Sequence, residues 1–131
     1  MQVAVYARVS TQRQAQMQST EQQIERLLAH AEGQGWSLAA DRVFRDDGYS
    51  GATLRRPGLD RLRDAAAGAQ LDRVLITEPD RLARNYVHQA LLVEELQTHG
   101  AEVDFLDRPM GRDPHDRLLL QIRGAAAPML L

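Results

Sequence analysis

Two short clusters hold the side chains whose types and spacing could do chemistry. In Val3-Ala4-Val5-Tyr6-Ala7-Arg8-Val9-Ser10-Thr11 an apolar run opens into a polar loop. Val3, Val5 and the ring of Tyr6 suit a buried strand. Arg8 and Ser10 lie two apart, so an extended backbone points both to one side. A guanidinium beside a hydroxyl at the end of a buried strand is poor packing material and a good start for an anion site. The second cluster is Asp80-Arg81-Leu82-Ala83-Arg84. Its spacing predicts a helix start on which Arg81 and Arg84 share a face. The plainer expectation there is an exposed helix start with an i,i+4 Asp80–Arg84 ion pair, worth little by itself. Beside Arg8 and Ser10 the balance shifts. Several arginines around one serine hydroxyl suit a nucleophile attacking a phosphodiester, with guanidinium groups neutralising charge in the crowded transition state.

The elements that must position these clusters follow from periodicity. After Ser10, residues Thr11 to Gln18 are polar and without a period, hence a loop. Ser19 reads as an N-cap with Gln22 at capping-box spacing. Ile24, Leu27, Leu28 and Ala31 then form an apolar helical face, ended by Gly33 and Gly35. Arg42 to Asp46 is a second strand, and Asp47 to Thr53 is a loop carrying two glycines. Leu59 to Ala67 is a helix with Leu59 and Leu62 inward, closed by Gly68. Asp72 to Thr77 is the clearest strand, stopped by Pro79. Tyr86 to His99 is a long helix with Val87, Leu91, Leu92 and Leu96 on one face, and Ala101 to Leu106 is a further strand. Residues Asp107 to Asp116 read as a loop, and Leu118 begins a last helix. This alternation predicts an α/β domain with helices over a largely parallel sheet. Such sheets bind ligands beyond the carboxyl ends of their strands, where both clusters fall.

Composition narrows the class. The 131 residues are 44% apolar and 26% charged, as expected of one soluble globular domain. A net charge of −2 carries no overall basic field, so a nucleic-acid partner must be met by a local cluster or by another part of a longer protein. All 16 basic residues are arginine. That suits phosphate recognition, although coding bias in an alanine-rich chain is the plainer explanation of the composition as a whole. With no cysteine, disulfides, thiolate catalysis and cysteine-ligated zinc are excluded. No apolar run approaches the roughly 18 residues of a membrane span, and the N-terminus lacks a signal-peptide pattern, so a cytoplasmic protein is the default expectation.

Other residues admit plainer roles. Ser10 could cap a turn. The Asp46-Asp47 pair could suggest a divalent metal or a phosphoacceptor. Adjacent carboxylates on a strand face opposite ways, however, and no third ligand is evident. His30, His88, His99 and His115 are scattered and read as surface groups. Tyr49 and Tyr86 read as partly packed residues, with loop residue Tyr49 a candidate to approach a ligand.

Four segments together resemble the N-terminal catalytic domain of the serine site-specific recombinases, the resolvase/invertase group, nearest their large-integrase branch. They are Tyr6-Ala7-Arg8-Val9-Ser10-Thr11; Ser19 to Gln23; Asp46-Asp47-Gly48-Tyr49-Ser50-Gly51 through Arg56-Pro57-Gly58; and Asp80-Arg81-Leu82-Ala83-Arg84. Each is weak alone. In this order and spacing, over roughly residues 3 to 123, they are a strong pattern. The resemblance implies a three-layer domain with a mostly parallel sheet of four or five strands and helices on both faces. It implies Ser10 as the nucleophile that forms a 5′-phosphoserine link to DNA and releases a 3′ hydroxyl. Arg8 would sit on the scissile phosphate, Arg81 and Arg84 would hold it, and Asp80 would orient them. Arg56 and Gln23 are implied as further members of the site. The family needs no metal or nucleotide, because the energy of the broken phosphodiester is kept in the covalent link. Its members self-associate as dimers and tetramers, and a bacterial or phage origin is implied.

One departure qualifies this expectation. After Gln121-Ile122-Arg123-Gly124-Ala125 the resemblance implies a long helix opening with Ala-Glu-aromatic-Glu-Arg, but the chain reads Ala127-Pro128-Met129-Leu130-Leu131. Proline suits a helix end rather than its middle. The expectation is therefore a catalytic domain over residues 1–131, cut short at the start of its C-terminal helix and lacking a DNA-binding domain. A non-catalytic module that pairs with or regulates full-length recombinases is the alternative expectation.

Overall fold

The computed structural model describes residues 1–10, 19–48, 52 and 54–107. Strand β1 (Val3–Val9) is the spine of the sheet, with Val3 to Ala7 at most 1% exposed. It pairs in parallel with β2 (Val43–Asp47) on one side and β3 (Arg73–Ile76) on the other. Strand β4 (Glu102–Phe105) pairs in parallel with β3, giving the order β2-β1-β3-β4. Every pairing being parallel, the carboxyl ends of all four strands meet along one edge.

The period-2 alternation of β1 divides the core. Ala4 and Tyr6 face a cluster with Phe44, Leu59, Leu62, Val74, Ile76, Leu92, Leu96 and Phe105. Those residues are supplied in part by helices α2 (Pro57–Ala67) and α4 (Tyr86–Thr98). Val3 and Val5 face the opposite way, onto Leu27, Ala31 and Leu75, with Trp36, Leu38 and Val43 at the margin. That layer belongs to helix α1 (Thr20–Gly33). The expected three-layer α/β architecture with helices on both faces is thus present, and four strands lie among the described residues. The helix expected from Leu118, His115 and the 127–131 terminus lie outside the described residues, as does Tyr49.

Local chemistry explains the helix starts. Ser19 accepts from the Gln22 amide and the Gln22 side chain accepts from the Ser19 amide, the capping box expected from their spacing. Helix α2 opens with Pro57 at its first position, where its missing N–H costs nothing. A short 3-10 turn, Ala40–Arg42, precedes β2, so that strand begins at Val43 rather than Arg42.

Two expectations are corrected. The inward face of α4 is not Val87, Leu91, Leu92 and Leu96. Val87 and Leu91 are 44% and 57% exposed, while Gln89, Ala90, Leu92, Val93 and Leu96 are buried. At about 100° per residue, positions 89, 92, 93 and 96 form one stripe and positions 87 and 91 lie opposite it. A polar residue heads the buried stripe, which hides it from a hydrophobic pattern. The second correction concerns Asp80 to Arg84. Helix α3 (Pro79–Leu82) is a single turn, and Ala83 is extended at φ −163° and ψ 151°. Arg81 and Arg84 therefore do not share a helical face: Arg81 is buried and Arg84 exposed.

Candidate active site at the carboxyl edge of the sheet

Arg8 lies on the same side of β1 as Tyr6, with half-buried Ser10 following beyond the strand end. The Arg8 peptide is held by Gln23, a fully buried residue of α1. The Arg8 N–H donates to Gln23 Oε1 at 3.3 Å, and Gln23 Nε2 donates to the Arg8 carbonyl at 3.1 Å. The side-chain amide thus mimics a neighbouring peptide and fixes the backbone two residues before Ser10.

A one-turn helix leaves its last carbonyls without intrahelical donors. In α3 those carbonyls are met by buried side chains. Arg8 donates through Nη2 to the Asp80 carbonyl at 2.8 Å and through Nε to the Arg81 carbonyl at 3.0 Å. Arg56 Nη1 reaches the Arg81 carbonyl at 3.4 Å, and its Nη2 donates to the Leu82 carbonyl. Gln89 Nε2 donates to the Ala83 carbonyl at 2.7 Å. Arg81 closes the circle by donating from Nη1 to the Arg8 carbonyl at 3.3 Å, and it forms an ion pair with Glu78 at 3.3 Å.

Behind this ring lies a polar core. Tyr6 donates its hydroxyl to Asp46 Oδ2 at 2.7 Å and accepts from Arg56 Nη1 at 3.0 Å. Asp46 also accepts from the Gly58 and Leu59 amides at 2.7 and 2.9 Å, so a strand carboxylate caps α2 from a distance. Burial, reinforced by Asp46, drives the Tyr6 hydroxyl well above its ordinary pKa and keeps it a donor. Burial first, and then neighbouring Arg56, pull the Arg8 guanidinium down to about 10, still charged at neutral pH. Three arginines with exposures of 5%, 0% and 4% (Arg8, Arg56 and Arg81) thus crowd one strand end. An incoming anion there would relieve their mutual repulsion, which is the physical basis of an anion site.

The structure brings Arg8, Gln23, Arg56 and Arg81 into one hydrogen-bonded unit, with Asp80 joined through its carbonyl. Arg84 sits one residue past the Ala83 carbonyl. Tyr6, Asp46 and Gln89 belong to the unit; the sequence offers Asp46 only as half of a metal or phosphoacceptor pair, and does not place Tyr6 or Gln89 in the site. A signal for Asp46 existed in its place at the carboxyl end of a strand. Tyr6 and Gln89 carried none, because one reads as packing and the other as surface.

Asp46 and Asp47 part company as adjacent strand carboxylates must. Asp47 faces α1, where it accepts from Thr20 Oγ1 at 2.6 Å and from Arg45 Nε at 3.0 Å. Arg45 Nη2 also donates to Thr20 and to Glu21. This knot pins the first turn of α1, and with it Gln23, to β2. Among the described residues no group of three or more His, Cys, Asp or Glu side chains could hold a metal. The Thr20 hydrogen bond first, and then Arg45, lower the Asp47 pKa. A depressed carboxylate stabilises the fold above its unfolded pKa, and that contribution fades as pH falls through the folded value. Thr20→Val is therefore expected to move the Asp47 titration up towards the ordinary aspartate range and to weaken the fold at neutral pH, with the difference from wild type fading as pH falls through the wild-type Asp47 pKa. A carboxyl-carbon NMR titration reads it directly; an unmoved Asp47 midpoint would contradict the assignment.

The fold and the arginine-lined strand edge define a resolvase-type catalytic domain. The chain belongs to the family described as Resolvase, N terminal domain, which matches residues 3–129. Among curated relatives it is 33% identical over 124 residues to a Bacillus subtilis (strain 168) protein carrying a DNA-recombinase name, covering 94% of this chain and 24% of that protein. It is 34% identical over 113 residues to the transposon Tn3 resolvase of Escherichia coli, covering 86% and 54%. The chain thus spans between about a quarter and about half of the relatives' lengths. The solved N-terminal catalytic domain of TP901-1 integrase is 30% identical, with a TM-score of 0.77 over 98% of this chain and 95% of that one.

Proposed function

We propose that this chain is the catalytic domain of a site-specific DNA recombinase that uses Ser10 as its nucleophile. The observation carrying the proposal is the gathering of Arg8, Arg56 and Arg81 at the strand end that leads into Ser10. The Ser10 Oγ gives up its proton as it attacks the scissile phosphorus, the bond to the 3′ oxygen breaks, and that oxygen takes up a proton to leave as a 3′ hydroxyl. The 5′ phosphate stays on Ser10 until a 3′ hydroxyl attacks in reverse and frees the serine. No metal or nucleotide enters this scheme.

In this reading Arg8, Arg81 and exposed Arg84 meet the phosphate, where forked donors match its oxygens and offset charge built up in the transition state. Asp80 orients the arginine segment. Gln23 and Arg56, both 0% exposed, are positioning residues: Gln23 donates to the Arg8 carbonyl, and Arg56 donates to Tyr6 and to the Leu82 carbonyl. DNA is the partner. Self-association into dimers and tetramers draws support from the exposed apolar pair Val87 and Leu91, one turn apart on α4. No described helix is long and apolar enough to cross a membrane. A cytoplasmic bacterial or phage setting belongs to the same proposal.

The test uses duplexes with randomised centres carrying 3′-bridging phosphorothiolate linkages, whose sulfur leaving group disfavours religation and traps the adduct. The chain is expected to become covalently attached to the fragment that carries the 5′ phosphate, with the other fragment released as a 3′ thiol and phosphoserine located at Ser10 by mass spectrometry. Ser10→Ala should cut the adduct by at least about 10³-fold, the scale expected when a nucleophile is lost, while leaving circular dichroism unchanged. An adduct formed equally well by Ser10→Ala would sink the proposal.

A further inference from the structure

Gln89 is a glutamine in a place built for an apolar side chain. It heads the buried stripe of α4, is 1% exposed, and lies six residues after the carbonyl it serves. Its hydrogen bond to the Ala83 carbonyl completes the series in which Arg8 and Arg56 meet the carbonyls of Asp80, Arg81 and Leu82. Ala83 itself is fully buried, so its carbonyl has no ready access to water. Leaving such a group unmet costs far more than an ordinary hydrogen bond contributes.

The bond has a consequence for the residue that follows. The Ala83 N–H donates to the Pro79 carbonyl at 3.1 Å, so with Gln89 on its carbonyl both polar groups of Ala83 are tied. On the far side, the Asn85 side chain accepts from the Val87 and His88 amides at 2.7 and 3.2 Å, and the Asn85 carbonyl accepts from the Gln89 amide at 2.9 Å. Arg84 is the single residue between these two fixed points. Its backbone is held at both ends while its side chain is exposed.

We propose that Gln89 is a positioning residue for Arg84: by clasping the Ala83 carbonyl it fixes the backbone from which Arg84 reaches the phosphate. The positioning is a statement about the Ala83–Asn85 link, and its part in catalysis rests on the recombinase function proposed above. A neutral donor suits this position. A fourth buried arginine would add to the repulsion already lowering the Arg8 pKa, whereas an amide meets the carbonyl without adding charge.

Two measurements separate the proposal from its premise. Hydrogen exchange on the 131-residue chain compares wild type with Gln89→Leu, which keeps the bulk and removes the donor. Exchange at the Ala83 amide is expected to accelerate at least about tenfold while the β1 and β3 amides stay within about twofold, the pattern of local opening. An unchanged Ala83 amide, or an acceleration uniform across the sheet, would overturn the assignment. Should leucine fail to fold, Gln89→Met makes the same comparison with an unbranched side chain. The phosphorothiolate adduct rate then supplies a double-mutant cycle with Arg84→Ala. Gln89→Leu is expected to slow adduct formation about tenfold when Arg84 is present and less than about twofold when it is absent, since residues acting through one another are non-additive. Equal slowing in both backgrounds would show a merely structural residue. A wild-type chain that forms no adduct would count against Ser10 chemistry, and the exchange comparison would still decide whether Gln89 fixes the link.

Discussion

Arg56→Met is expected to destabilise the folded chain by about 3–5 kcal/mol, the range for removing one partner from a buried charged network. Arg56 is a large, fully buried side chain, and three of its acceptors come from two different elements. Methionine fills much of the volume but meets none of them. The Leu82 carbonyl loses its side-chain donor, the Tyr6 hydroxyl loses a donated bond, and Asp46 loses the cation that faces it through Tyr6. Since domains of this size are stable by only about 5–15 kcal/mol, a large part of the margin goes with one residue. Urea unfolding at pH 7 measures it. Arg56→Lys is a useful companion, because it restores the charge but not the fork that spans Tyr6 and two carbonyls. It should recover only part of the loss. A cost below about 1 kcal/mol for Arg56→Met would mean that the buried network contributes little, contrary to the scale expected of such groups.

Gly58→Ala is expected to cost about 3 kcal/mol, at the upper end of what overpacking does. A Cβ at this position would clash with the Arg45 carbonyl oxygen and lie 2.8 Å from its carbon and 2.9 Å from Asp46 Oδ2. Two of those atoms are backbone of β2 and cannot swing aside as a flexible side chain would. The helix must retreat from the strand, which lengthens the bonds from the Gly58 and Leu59 amides to Asp46 and loosens the Tyr6–Arg56 connection behind the site. Damage should therefore appear in catalysis as well as in stability. Gly33→Ala is the matched control: nothing lies within 4 Å of its Cβ, and alanine is the better helix former. It should be neutral or mildly stabilising. A thermal midpoint for Gly58→Ala equal to that of Gly33→Ala would contradict the close approach.

These two positions show how the site is built. The arginines that look like outward-facing phosphate ligands in the sequence spend much of their donor capacity on the carbonyls of a one-turn helix. Arg8 and Arg56 therefore hold the segment carrying Arg81 and Arg84 in place as well as supplying charge. A substitution at Arg8 or Arg56 loses both, so adduct assays on those variants report geometry and electrostatics together. Arg84, exposed and one residue past the clasped carbonyl, is where charge can be removed with the least structural consequence.

Much of this was legible in the residues because it is local. The strand and helix order follows from period-2 and period-3.6 patterning. The α1 start follows from Ser19 and Gln22, three residues apart. That Arg8 and Ser10 fall together at the end of β1 follows from their spacing, and that Arg8 meets Asp80 and Arg81 follows from parallel strands ending at one edge. What the sequence left open is the direction in which each long side chain turns. Arg81 and Arg84 separate because the α3 helix ends after one turn. Val87 and Leu91 face outward because Gln89 takes the head of the buried stripe. Asp46 becomes a helix cap, Tyr6 a hydroxyl between two charges, and Arg56 an interior residue. Each of those outcomes rests on hydrogen bonds across 6 to 73 residues of sequence. An arginine or glutamine can reach several acceptors at similar cost, and only the packed layers decide which carbonyl is buried and waiting for a donor.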